Sequence, residues 1–251
     1  APKTLDIVFQ GDELASGYTI PAQAKKMGAK VFVHYSFPRH MGYKHLSQRR
    51  EIIKEECKNL EMKFIDVEMP DPVGDEGLEG ARAFIAKDIK EKVETYGKDI
   101  NFFSTNCGVQ EALLKTALEC GGIVAQQCCP SPLHGYPGAL GLDLPKEKVS
   151  DYNFVMEEIT KGIAAKGGSG RFSTWPVPMN MLFIEAGVEY SIGYIEGRIT
   201  SRNDPEALAS ICSRIAGGRD IKLNVYAGKD KNGSDIEYDN FYLLLCDYIT
   251  F

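Results

Sequence analysis

Residues 28–69 read GAKVFVHYSFPRHMGYKHLSQRREIIKEECKNLEMKFIDVEM, and the order of patterns within them decides the fold class. Lys30 to Phe37 is a short apolar run rich in β-formers, ended by Pro38, which cannot donate to a central ladder. From about Tyr43 to Leu60 the period changes: Leu46, Ile53, Cys57 and Leu60 fall on one helical stripe, and Arg49, Arg50, Lys54 and Glu55 cover the rest. Met62 to Val67 then reads as a second strand. Strands joined by a helix of this length run parallel with a right-handed crossover, and ligands sit in the loops at their carboxyl ends. The loop from Ser36 to Gly42 is therefore the first candidate binding surface.

The pattern continues in both directions. Upstream, Leu5 to Phe9 is a strand, Gly11 to Gly17 a turn with an acidic pair, and a helix with Ile20, Ala24 and Met27 on one face runs to Gly28. Downstream, Ile85, Ile89, Val93 and Tyr96 mark a helix, Ile100 to Thr105 a strand, and Val109, Leu113, Ala117 and Cys120 another helix. Ile123 to Ala125 is a short strand, followed by a loop from Gln126 to Gly141 dense in Pro and Gly, a kind of segment compact domains seldom keep without using it. Val149 to Lys166 reads as a helix and Phe172 to Trp175 as a strand. A helix from Asn180 to Glu196 has Leu182, Ala186, Tyr190 and Tyr194 on its inner stripe, and another starts at Asn203 or Asp204 with Pro205. Lys222–Tyr226 and Phe241–Ile249 read as strands around a polar turn, Gly228 to Asp239. This alternation predicts an α/β fold, a mainly parallel sheet flanked by helices in Rossmann-like lobes.

At 251 residues, 43% hydrophobic, the chain suits one large domain or two small lobes. A formal charge of −6 with no Lys/Arg run argues against a nucleic-acid partner for this chain. No apolar run approaches the ~18 residues of a membrane span, and no signal-peptide pattern is present. The chain opens at Ala1 rather than Met, which fits a processed or trimmed chain. Its seven cysteines form no CxxC pair, so buried free thiols are expected rather than a disulfide framework.

Several of these residues carry a resemblance. Gly11-Asp12-Glu13-Leu14-Ala15-Ser16-Gly17-Tyr18, Gly28-Ala29-Lys30-Val31, Arg49-Arg50, Phe103-Ser104-Thr105-Asn106 ahead of Glu111, and Pro176-Val177-Pro178-Met179 before Ala186 and Gly197 follow one another as in type I periplasmic-binding proteins and sugar-sensing repressor cores. More closely, the runs 25–30, 34–41 and 128–138 resemble an uncharacterised bacterial family of periplasmic-binding-protein-like proteins. The resemblance implies a fold and a ligand-binding habit without a known activity. It also implies roughly a hundred further residues in full-length relatives, so most of the first lobe is expected to be absent. On this basis residues 1–145 would form a second-lobe-like ligand-binding domain with a hinge near 10–17, and 146–251 the hinge return and remaining lobe segments.

Candidate ligand-binding residues lie on the loops. Asp12 and Glu13 could accept hydrogen bonds from ligand hydroxyl or amine groups, or simply cap the following helix. One of Arg49 and Arg50 could clamp a carboxylate or phosphate; helical spacing lets only one face a cleft, and Arg49 is the candidate. Asn106 ends a strand and opens a helix, where ligand contact and an N-cap role compete. Tyr35, Tyr136 and Trp175 are aromatics suited to planar ligands, with a core role as the alternative. His40 sits on the first candidate loop, whereas His34 and His45 read as structural. Cys107 and His134 invite a nucleophile and base reading, but no spacing rule links them. Adjacent Cys128 and Cys129 are less suited than CxxC to tetrahedral closure around zinc; with His134 and Cys107 a thiolate site is conceivable, but neither a metal nor another cofactor is expected. The glycine-rich pieces do not follow strand-to-helix as phosphate cradles do.

The expected function is therefore binding of a small polar molecule by lobe closure. A membrane transporter or sensor is the expected partner, an extracytoplasmic location is favoured, and homodimer formation fits the missing lobe. The effector-sensing core of a transcriptional regulator is the first alternative. A thiol-dependent enzyme built on Cys107, Cys128, Cys129 and His134 is the second.

Overall fold

The computed structural model describes residues 4–229 and 232–251. In chain order its elements begin with β1 (Val8–Gly11), α1 (Ser16–Lys26), β2 (Val31–Ser36), α2 (Pro38–Met41), α3 (Lys44–Asn59), β3 (Lys63–Glu68), α4 (Gly77–Tyr96), β4 (Ile100–Ser104) and α5 (Gln110–Cys120). They continue with α6 (Tyr136–Leu140), α7 (Tyr152–Ala165), β5 (Ser173–Thr174), α8 (Met179–Ile195), α9 (Pro205–Ile215), β6 (Ile221–Lys229), β7 (Asp235–Cys246) and β8 (Ile249–Thr250). The chain divides into two compact units: one joins the segment through Asp12 to Val177–Asp247, the other joins Glu13–Pro176 to Tyr248–Phe251. The expected break at 145/146 is not a boundary, because α7 packs Val155, Ile159 and Ile163 into the same core as Phe102 and Leu113.

In the larger unit the parallel sheet runs β3-β2-β4, with Tyr35 opposite Val67 on one side and Ser104 on the other. Parallel bridges Asn101↔Ile123 and Val124↔Phe172 extend it through residues 123–125 to β5, which β8 closes antiparallel. Every residue of β2 is buried, as a central strand covered on both faces must be. Val31, Val33 and Tyr35 face α4, α5 and α7, whereas Phe32 faces Ile20 and Ala24 of α1 and Ile53 and Cys57 of α3. Helix α5 stops at Gly121, whose left-handed φ of 74° is costly for any residue with a Cβ.

In the smaller unit β7 lies between β1, parallel, and β6, antiparallel. Both strands of the β6/β7 hairpin run further than the sequence predicts, which shortens the polar turn; Asp230 and Lys231 of that turn lie outside the described residues. Helix α8 buries Leu182, Ala186 and Tyr190, but Tyr194 is on the exposed side. Its outer face is also apolar, with Ile184, Val188, Ile192 and Ile195 exposed. Among the described residues no helix is long and apolar enough to cross a membrane.

Candidate functional site

After β2 the chain turns towards β3, and after β4 it turns the other way, through α5 to residues 123–125. The carboxyl ends of β2 and β4 therefore flank the switch point of the sheet, where open α/β folds leave a crevice. One hydrogen bond bridges it: His40 Nδ1 lies 3.0 Å from Thr105 Oγ1. The His40 ring is held against Phe37 with centroids 4.1 Å apart, and burial followed by the Arg39 charge lowers its pKa. Arg39 itself anchors the short α2 turn by a two-pronged bond to Asp71, at 2.8 and 2.9 Å.

Arg49 stands at a core-facing position of α3, between Leu46 and Ile53, and is only 4% exposed. Its guanidinium lies 5.4 Å from the centroid of the Phe103 ring. Nη1 is 3.9 Å from Glu13, a loose ion pair, and the buried Nε has no hydrogen-bond partner. Burial pulls the pKa of Arg49 down, and the Glu13 carboxylate is the first charge to oppose it. A guanidinium stays charged in proteins, so this is a desolvated cation with a spare donor.

Next to it the tips of β4 and of residues 123–125 bring Cys107, Cys128, Cys129 and His134 together, one ligand atom from each lying within 4.8 Å of all the others. Cys107 Sγ is 3.0 Å from Cys128 Sγ and 3.6 Å from Cys129 Sγ. Cys107 opens the one-turn helix Cys107–Val109 ahead of α5, which Asn106 caps by accepting from Gly108 N at 2.8 Å. Consecutive side chains of an extended strand point to opposite faces, but the chain bends at Cys128 and Cys129, which lets both thiols reach one point. Gln110 Oε1 accepts from Cys128 N, and Gln127 Nε2 donates to the carbonyls of Ser131 and His134, fixing the loop. His134 Nδ1 donates to the Cys129 carbonyl at 2.9 Å, which leaves the lone pair on Nε2. Hydrogen bonds from Cys128 and Cys129 draw the Cys107 thiol down to about 3, while the same bonds push those two thiols up. Cys107 and Cys129 are exposed and Cys128 is half-buried.

The other expected site residues fall elsewhere. Asp12 belongs to the smaller unit and accepts from Asn224 Nδ2 at 2.9 Å, a structural bond. Glu13 is half-exposed and also lies 3.5 Å from His45 Nε2. Tyr35 is not on a ligand surface: β2 is buried on both faces, and the Tyr35 hydroxyl donates to Asp88 at 2.8 Å. Tyr136 likewise belongs to the core, edge-on to Phe172 and Phe251, with its hydroxyl donating to the Ser173 carbonyl. Trp175 is 3% exposed, which leaves no open ring face for stacking. Asn106 spends its side-chain oxygen on the cap. Sequence reasoning missed the burial of Arg49, although the apolar stripe through Leu46 and Ile53 passes over it, and it missed Thr105 and the buried pair Gln126 and Gln127. A shallow depression of about 400 Å³ is lined by Leu14, Ser47, Gln48, Arg50, Glu51 and Ile52, and Arg50 there is committed to Glu51 and Asp66.

Polar and thiol groups gathered at the switch point of a parallel sheet define the class, an α/β protein with its candidate site at the strand tips. The chain belongs to the family described as "Protein of unknown function (DUF3798)", whose model matches residues 2–173. It is similar to two proteins of Treponema pallidum (strain Nichols), each described as an uncharacterized protein. One is 32% identical over 168 residues, 67% of this chain and 75% of that protein; the other is 44% identical over 72 residues, 29% and 33%. A crystal structure described as a "Putative transcriptional regulator from Clostridium difficile 630" matches with a TM-score of 0.88 at 25% identity, covering 100% of this chain and 68% of that one.

Proposed function

We propose that this chain is an effector-sensing protein that binds a small polar, anion-bearing ligand at the tips of β2, β4 and residues 123–125. The observation that carries the reading is Arg49, a buried cation with an unused Nε–H and only a loose carboxylate partner at the switch point. Buried charge of this kind is costly unless something pairs with it. The similarity to a structure described as a "Putative transcriptional regulator" supports sensing over solute delivery. Homodimer formation belongs to the same proposal, supported by the exposed apolar stripe of α8.

A thermal-shift screen over metabolites tests it, because a ligand that binds only the folded form raises its melting point by mass action. A carboxylate or phosphate ligand should stabilise the wild type, and Arg49→Lys, which keeps the charge but loses the planar fork, should lose most of the shift. An undiminished shift in Arg49→Lys would remove the proposed site.

A further inference from the structure

We propose that Cys107, Cys128, Cys129 and His134 coordinate a thiophilic metal ion of the Zn²⁺ class, with Arg49 as the cation that balances the anionic centre. It goes beyond the sensing reading above: the ion would occupy the thiol end of the strand-tip site, a second occupant beside the anion-bearing ligand, and it rests on that reading only for the place of the site in the fold.

The donor set points to the ion. Three sulfurs and an imidazole suit Zn²⁺ and other thiophilic ions, whereas Mg²⁺ and Ca²⁺ demand oxygen. Zinc–sulfur bonds of about 2.3 Å and zinc–nitrogen bonds of about 2.0 Å place tetrahedral ligands roughly 3.5–4 Å apart. The four ligand atoms lie within 4.8 Å of one another, and the Cys107 contacts of 3.0 and 3.6 Å need only small side-chain rotations to reach that spacing. His134 is already oriented, since its Nδ1–H is committed to the Cys129 carbonyl, a backbone contact typical of ligating histidines. Exposed Cys107 and Cys129 give the ion a way in.

Charge closes the case. A divalent ion with three thiolates carries one net negative charge, the remaining thiol protons leaving to solvent. Arg49, buried and with a spare donor, lies near enough to Cys128 and Cys129 to feel their charge once they become thiolates. The four-ligand cluster carries the proposal, and the buried guanidinium beside it supplies a countercharge. Four protein ligands leave no open position, which suits sensing or structural locking rather than metal catalysis. An ion there would tie the start of α5 to the loop 128–134 and make the order of that loop metal-dependent.

The test is a Co²⁺ titration of the reduced, metal-free full chain, followed by absorption. Expected are a thiolate-to-cobalt charge-transfer band and the intense visible bands of a tetrahedral site, saturating at one ion per chain and bleached by Zn²⁺. Cys128→Ser and His134→Ala should each weaken binding by at least about tenfold, Arg49→Met by about tenfold, and Cys212→Ser, in the smaller unit, not at all. If Cys128→Ser does not fold, Cys107→Ser at an exposed position takes its place. A folded wild type without the charge-transfer band, bands that survive both Cys128→Ser and His134→Ala, or a Cys107–Cys128 disulfide that persists under reductant would each overturn the proposal. A metabolite shift lost in Arg49→Lys together with no cobalt binding would sink the metal and keep the sensing reading. Neither response would sink both.

Discussion

The interior of the larger unit and the tips of its strands use the same residue types to opposite ends. Inside, most polar groups are paired off: Tyr35 donates to Asp88, which Lys92 neutralises at 2.7 Å, and Tyr136 donates to the Ser173 carbonyl, although His34 Nε2, Asn101 Nδ2 and Thr174 Oγ1 are buried without a partner. Cys57, buried against α1, has its thiol pushed up to about 12 by desolvation, with the Glu56 charge adding to it, which keeps it inert. At the tips the pairing is left unfinished. Arg49 keeps a free donor, three thiols touch one another, and His134 keeps a lone pair. The interior too has unpartnered neutral atoms, so what sets the tips apart is an underpaired buried charge beside thiols in mutual contact, and that combination marks a place for something else to bind.

The comparison can be broken by mutation, starting with the core. Ile89→Ala should cost about 2–5 kcal/mol in denaturant unfolding, by the lost contacts and the cavity left behind, yet leave cobalt binding intact in the folded protein. Loss of binding at full folding would mean that the two regions are not separable. Tyr136→Phe should cost about 1–3 kcal/mol, because the buried Ser173 carbonyl loses a donor. Asn106→Ala removes the cap ahead of α5 and should cost about 1 kcal/mol by the same measurement. If that variant instead abolished a metabolite shift without changing stability, Asn106 would belong to the site rather than to the scaffold.

The smallest expected effect is a pH dependence centred on His34. It is fully buried, 3.1 Å from Asp66, and desolvation lowers its pKa below 6.5 despite that partner. Below pH 6.5 the unfolded chain therefore takes up a proton that the folded one refuses. This contribution to stability is present above pH 6.5 and is lost as pH falls towards the folded value. Unfolding midpoints measured across this range should fall with acid in the wild type and fall less in His34→Gln. An identical slope in both would remove His34 as the cause.

Much of the fold was legible. The run Val31–Ser36, the stripe through Leu46, Ile53 and Cys57, and the alternation beyond them set the sheet and its helices, because a buried parallel strand and an amphipathic helix leave periods of different length. The single turns α2 and α6 were not legible, since each lies in a Pro-bearing loop too short to show any period. Aromatic candidates were misread where burial on both faces removes the in-and-out alternation, as at Tyr35. The thiol cluster lay beyond spacing rules altogether. Such rules assume that one local turn gathers the ligands, whereas here Cys107 comes from the tip of one strand and Cys128, Cys129 and His134 from beyond its neighbour, joined by sheet order and a bend.

The most direct measurement is an anomalous difference map at the zinc edge, from crystals of the reduced full chain grown with Zn²⁺. Expected is a single strong peak about 2.3 Å from the Sγ atoms of Cys107, Cys128 and Cys129 and about 2.0 Å from His134 Nε2, with Arg49 turned towards it. A map with no peak there, or with zinc bound elsewhere while these four side chains stay as they are, would contradict it.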